Sequence, residues 1–176
     1  MYDPEITTIL GRDEIRDTIC KLIQSPENYV FIYGRTGTGK TALVESVLVE
    51  YDVMYYNAAD MRNKNIFDEI AKMSNTSNNV VHMFQKKVRQ TVVVIDELES
   101  VNTGDRSTIN SLIKMIQKKP SCSIVCICNQ QIDKKISDLM KHCHVFFLEQ
   151  PTHEQMRRIM QLYKVSSEEL IYKSNS

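Results

Sequence analysis

Five stretches of the chain are continuous apolar, largely β-branched or aromatic runs about as long as a buried strand, and between them apolar residues recur at helical spacing. The runs are Tyr29-Val-Phe-Ile-Tyr-Gly34, Val53-Met-Tyr-Tyr-Asn57, Thr91-Val-Val-Val-Ile-Asp96, Ser123-Ile-Val-Cys-Ile-Cys128 and His144-Val-Phe-Phe-Leu148. The third and fourth do not alternate polar with apolar, which is the pattern of a strand covered on both faces. Ile15, Ile19, Leu22 and Ile23 mark one face of a helix that runs to about Gln24 and stops at Ser25-Pro26. Leu43, Val44, Val47 and Leu48 mark another reaching about Glu50. Helices are also predicted from about Ile66 to Met73, around Met83 to Arg89, from Asp105-Arg-Ser107 to Lys118-Lys-Pro120, and near Lys134 to Lys141. Thr152 caps one carrying Met156, Ile159, Met160 and Tyr163, Ser166 starts another, and the polar run Ser74 to Asn79 reads as a loop. Strands interleaved with helices imply an α/β fold with a parallel, doubly wound sheet and ligands at the carboxyl ends of its strands.

The chemistry sits at those ends. The first run empties into Gly34-Arg-Thr-Gly-Thr-Gly-Lys-Thr41 and then into a helix, the pattern Gly-x-x-x-x-Gly-Lys-Thr in its expected strand-loop-helix setting. Gly34, Gly37 and Gly39 let the backbone turn its N–H groups inward as an anion cradle, so Gly34, Arg35, Thr36, Gly37, Thr38, Gly39, Lys40 and Thr41 are the candidate ATP contacts. Lys40 would reach the β- and γ-phosphates and Thr41 would hold Mg²⁺. Ile9 and Leu10, ahead of the first helix, are further candidate nucleotide contacts. Asp96 and Glu97, ending the third run, suit a metal ligand and a group that polarises the attacking water, in that order. Asn129, at the tip of the fourth, can orient that water or sense the γ-phosphate.

Composition narrows the partners only slightly. A chain of 176 residues, 42% hydrophobic, can bury one domain and has little left for a second, so residues 1–150 are expected to form the nucleotide-binding α/β domain and 151–176 a helical appendage. Lys plus Arg balance Asp plus Glu at 22 each, so a nucleic-acid partner would have to be met by a local patch. No apolar run approaches the ~20 residues of a membrane span, and the start Met1-Tyr-Asp-Pro-Glu5 is unlike a signal peptide, so the expectation is a soluble intracellular protein without a membrane partner, in the nucleus or the cytoplasm. Five cysteines without C-x-x-C spacing fit reduced thiols; Cys126, Cys128 and Cys143 with His142 and His144 are read as small core and surface residues in preference to a zinc site.

The order of phosphate loop, acidic strand and polar strand tip resembles the AAA+ ATPases. That resemblance implies a three-layer α/β/α sandwich with a parallel five-stranded sheet of order 5-1-4-3-2. Three segments are similar to the large subunit of the replication factor C clamp loader: Asn57-Ala-Ala-Asp-Met-Arg-Asn-Lys64; Asp96-Glu-Leu-Glu99 with Gly104-Asp-Arg106; and Ile127-Cys-Asn129 with Leu139-Met-Lys-His-Cys143 and Pro151. The loop itself, Tyr33-Gly-Arg-Thr-Gly-Thr-Gly-Lys40, looks more like that of origin-recognition and helicase-loading ATPases, the alternative reading. A nucleotide-holding assembly module with little hydrolysis is a third. The resemblance implies ATP hydrolysis dependent on partners, which would be other AAA+ subunits of a ring, a sliding clamp and primer-template DNA. It places Arg62, Lys64 and Arg106 where clamp loaders face DNA, although a solvated surface is at least as good a reading of these side chains. Small clamp-loader subunits carry an arginine finger in Ser-Arg-Cys, where this chain has Lys141-His-Cys143. The chain also stops before the remaining lid helices, their sensor arginine and any collar, as a fragment or a reduced, for instance viral, relative would.

Overall fold

The computed structural model describes residues 4–25, 28–57, 60–63, 65–76, 90–103, 106–120, 122–129 and 133–163. In chain order these form α1 (Pro4–Ile9), α2 (Asp13–Ile23), β1 (Tyr29–Gly34), α3 (Lys40–Val47), β2 (Asp52–Asn57), α4 (Asn65–Thr76), β3 (Thr91–Asp96), α5 (Arg106–Gln117), β4 (Ser123–Asn129), α6 (Lys134–Met140), β5 (His144–Leu148) and α7 (His153–Leu162). Short 3₁₀ turns follow β2, at Asp60–Arg62, and β3, at Leu98–Thr103. The sheet runs β2-β3-β4-β1-β5 with every pairing parallel, the expected order read from the other edge.

Both faces of the central strands are covered, which is why their sequences do not alternate. Phe31, Val93, Ile95, Ile124 and Cys126 pack toward Ile70, Ile109, Leu112, Ile136 and Leu139 of α4, α5 and α6. Their neighbours Val30, Ile32, Val92, Val94, Val125 and Ile127 pack toward Ile19, Ile23, Leu43, Val44 and Val47 of α2 and α3. Each such side chain removed from water contributes roughly 1.5–3 kcal/mol. Edge strands are less protected: Tyr55 on β2 is 49% exposed and Phe147 on β5 is 43% exposed.

Several boundaries differ from the sequence expectation. Helix α1 was not foreseen, because six residues carry too little periodicity. Helix α4 continues through Thr76, so Ser74 to Thr76 is helix where a loop was expected. Helix α3 ends at Val47 instead of reaching Glu50. Thr152 does cap α7, in a reciprocal box in which the Gln155 amide N–H donates to the Thr152 hydroxyl at 3.2 Å and Gln155 Oε1 accepts from the Thr152 N–H at 2.9 Å. No α7 residue is buried, and Met156 is 44% exposed. The helices expected around Met83–Arg89 and from Ser166 lie outside the described residues.

Parallel register decides what meets at the carboxyl edge. Gly34 pairs with Asn129 on one side and Leu148 on the other, and Asn57 pairs with Asp96. Gly34 has no room for a side chain, since a Cβ would press into the Leu148 carbonyl oxygen and sit 3.3 Å from the Thr38 hydroxyl. Gly34→Ala is therefore expected to cost about 1–3 kcal/mol by overpacking. Thermal melting should register this as a loss of roughly 2–4 °C per kcal/mol, and an unchanged midpoint would contradict the contact.

Candidate active site

The turn after β1 is built on two left-handed residues, Gly37 and Gly39, each at φ 80°. Gly39 caps α3 with backbone alone, so no side chain takes up the free N–H groups of the first turn, the condition under which a helix start receives an anion. Lys40 is only 8% exposed, and its ammonium donates to Gly34 O, Arg35 O and Asn129 Oδ1, each at 2.9 Å. Burial lowers its pKa, while the carboxylates of Glu99 and Asp96 push it back up.

At the end of β3, Asp96 is a junction of donors. Thr41 Oγ1 donates to Asp96 Oδ2 at 3.0 Å, the Tyr55 hydroxyl donates to the same oxygen, and the Glu97 N–H donates to Oδ1 at 2.7 Å. Burial, and then the Asp96 carboxylate, raise the Tyr55 pKa, so this hydroxyl keeps its proton. Glu97 adopts φ 55°, a left-handed backbone that costs a non-glycine residue about 1–2 kcal/mol. Its carboxylate accepts from Asn57 Nδ2 at 2.6 Å. Asn57 is held in turn, for its N–H donates to Asp60 Oδ2 at 3.2 Å at the start of the 3₁₀ turn. Asn129 closes the group: its N–H donates to Glu99 Oε2 at 2.9 Å and its Nδ2 to Glu99 Oε1.

On the far side of the loop lies a cavity of about 310 Å³ lined by Leu10, Ile15, Phe147 and Pro151 among others. Arg12, 6% exposed, spans it: Nη1 donates to the Thr38 carbonyl and Nη2 to the Glu149 carbonyl at 2.9 Å. Ile9 ends α1 half-buried and is not among the lining residues. Arg35 and Thr36 are exposed, with Arg35 Nη1 3.3 Å from Gln150 Oε1, whereas Thr38 is fully buried. Arg62 ends its 3₁₀ turn and Arg106 opens α5, but the readings that rest on their side chains, and on Lys64, lie outside the described residues.

Lys40, Thr41, Asp96, Glu97 and Asn129 are thus brought together at the tips of β1, β3 and β4. The Thr41 hydroxyl and the Asp96 carboxylate are hard oxygen donors in contact, which suits a magnesium ion that takes its remaining ligands from phosphate and water. Among the described residues no group of three or more His, Cys, Asp or Glu side chains could hold a metal unaided. Burial pushes the Cys128 and Cys143 thiols up to about 12 and Cys126 well above its ordinary value. Four participants were not picked out as site residues from the sequence. Asn57 and Tyr55 could have been found by aligning the tip of the second strand with the acidic one, and Glu99 by its place in Asp96-Glu-Leu-Glu99. Arg12 carried no signal, since it reads as one more charge at a helix start.

Residues 30–150 match the family model described as "ATPase family associated with various cellular activities (AAA)". The chain is 32% identical over 146 residues to replication factor C subunit 1 of Schizosaccharomyces pombe, covering 76% of this chain and 15% of that protein. It is 25% identical over 125 residues to the replication factor C large subunit of Methanococcus vannielii, covering 66% of this chain and 24% of the relative. Among solved structures, AMPPCP-bound DnaA from Aquifex aeolicus superposes with a TM-score of 0.56 at 18% identity, over 95% of this chain and 57% of that one, a likeness of fold.

Arg12 bridges two carbonyls with one guanidinium. Arg12→Ala is expected to destabilise the protein by about 2–4 kcal/mol, because hydrogen bonds from a charged donor contribute roughly 1.5–3 kcal/mol each and are not additive. Arg12→Lys should recover less than half, since an ammonium cannot fork across both oxygens. Denaturant melts of the three proteins check this, and full recovery by lysine would contradict it.

Proposed function

The chain belongs to the AAA ATPase family, and from that premise we propose that it binds ATP with Mg²⁺ and hydrolyses it as one subunit of a clamp-loader-like ring in DNA replication. The observation that carries this is the convergence of Lys40, Thr41, Asp96, Glu97 and Asn129 at neighbouring strand ends. Residues 1–150 are the nucleotide-binding domain and 151–176 the beginning of its helical lid. The phosphates lie in the cradle from Gly34 to Thr41, with Arg35, Thr36, Gly37, Thr38 and Gly39 supplying backbone contacts, and the base takes the cavity beside Leu10. Thr41 and Asp96 hold magnesium, which supplies charge neutralisation at the β- and γ-phosphates. Lys40 exchanges its protein acceptors for phosphate oxygens. Glu97, with one oxygen engaged by Asn57, uses the other to orient and polarise the attacking water. Asn129 donates to the γ-phosphate or to that water.

The relatives named above support the clamp-loader reading, but the chain spans less than a quarter of their lengths, so ring partners, a sliding clamp and primer-template DNA are part of the proposal. Arg62, Lys64 and Arg106 are its DNA-facing residues. Lys141-His-Cys143 offers no arginine finger to a neighbour, which suits a subunit that receives one. The alternative, an initiator or helicase-loading ATPase, is favoured only by the wording of the phosphate loop. Acceleration of hydrolysis by primed DNA with small clamp-loader subunits, and not by origin duplex, separates the two.

Saturating ATP–Mg²⁺ is expected to stabilise the protein by about 2.7 kcal/mol at a hundred times its dissociation constant, and Lys40→Ala should remove most of this. An unmoved melting temperature would refute nucleotide binding. Hydrolysis by the isolated chain should be slow and should rise by roughly 10³–10⁵ when a partner supplies its arginine. Glu97→Gln should keep ATP affinity while losing about 10²–10⁴ in single-turnover rate. Equal single-turnover rates for the two proteins with every partner tried would leave the protein a nucleotide-holding module.

A further inference from the structure

Glu99 is assigned no role by the reading above, yet it makes two hydrogen bonds to one residue of the site. Its Oε2 accepts from the Asn129 backbone N–H at 2.9 Å and its Oε1 from the Asn129 side-chain Nδ2, while Asn129 Oδ1 accepts from Lys40 Nζ at 2.9 Å. An ammonium only donates and a carboxylate only accepts, so the amide between them has one admissible orientation, oxygen toward Lys40 and nitrogen toward Glu99. Because Glu99 grips the backbone as well as the side chain, the amide cannot turn over without breaking a bond to a charged acceptor.

We propose that Glu99 is the positioning residue for Asn129, and that by holding one Nδ2 hydrogen it keeps the second aimed as a fixed donor for the terminal phosphate. This rests on the nucleotide-site reading and adds to it the means by which ATP is told from ADP. With Glu99 in place, Asn129 always offers a hydrogen to an oxygen that only accepts. Without it the amide can turn its own oxygen toward the phosphate, and the donor is lost for part of the time. Glutamine has the shape of glutamate but brings one acceptor and one donor against two Asn129 donors, so Glu99→Gln must break one of the two bonds. Plain charge acts in the opposite direction: deleting a carboxylate near the site would by itself favour the more negative nucleotide, ATP.

The test is calorimetric measurement of ATP and ADP affinity, both with Mg²⁺, on the full chain carrying Glu99→Gln, Asn129→Ala or both. Positioning predicts that Glu99→Gln lowers the ATP-over-ADP preference by roughly tenfold, that Asn129→Ala does the same, and that the double variant is no worse than Asn129→Ala. A preference unchanged or increased in Glu99→Gln, or a further drop in the double variant, overturns the proposal. Loss of thermal stability with the preference intact would make Glu99 merely structural and overturns it as well. A second measurement does not depend on the variants folding: in the wild-type chain without nucleotide the Asn129 side-chain amide hydrogens, followed by NMR, should exchange with solvent more slowly than those of exposed Asn110, and equally fast exchange overturns it. Wild-type protein that binds ATP and ADP equally refutes this inference while leaving nucleotide binding intact, and protein that binds neither refutes both.

Discussion

A buried ammonium is tolerated only where oxygens surround it, and Lys40 meets that demand with the carbonyls of its own loop and the amide of a different strand. Much of the architecture follows from that requirement. The amide must stand at the tip of β4, so β4 must lie beside β1 in a register that sets Gly34 against Asn129. Residue 34 must lack a side chain, because β5 passes on its other flank. Two carboxylates, Glu99 and Asp96, lie near enough to offset part of the desolvation of the charge.

The sequence disclosed most of this frame and little of its bracing. The β-branched runs of β1, β3 and β4 could be read because burial on two faces leaves no polar residue within them. Phosphate loop, acid pair and strand-tip amide were legible because each is a short local pattern whose chemistry demands particular residue types. Asn57, Tyr55, Glu99 and Arg12 act across strands or from a distant helix, and no local period marks a side chain whose partner lies 26 or more residues away. Boundaries failed for the same kind of reason: Ser74 to Thr76 favour turns by composition, yet helix α4 carries on through them.

Arg12 joins parts that lie far apart in the sequence. Its guanidinium joins the loop at Thr38 to Glu149, three residues before the cap of α7. The segment leading into α7 and the phosphate loop are therefore tied together through one rigid planar group. The same group limits Gly39, where an added Cβ would come within 3.3 Å of Nη1.

The left-handed backbone of Glu97 has an evolutionary corollary. At this position glycine would relax the main chain by about 1 kcal/mol, and asparagine by part of that, so a selection for thermal tolerance alone would drift toward either. What glutamate supplies at this strained position is a carboxylate at the site, held there by the Asn57 amide. A library of this protein sorted only for heat resistance would be expected to accumulate changes at residue 97, whereas one sorted for its chemistry would not, a local instance of the general opposition between robustness and function.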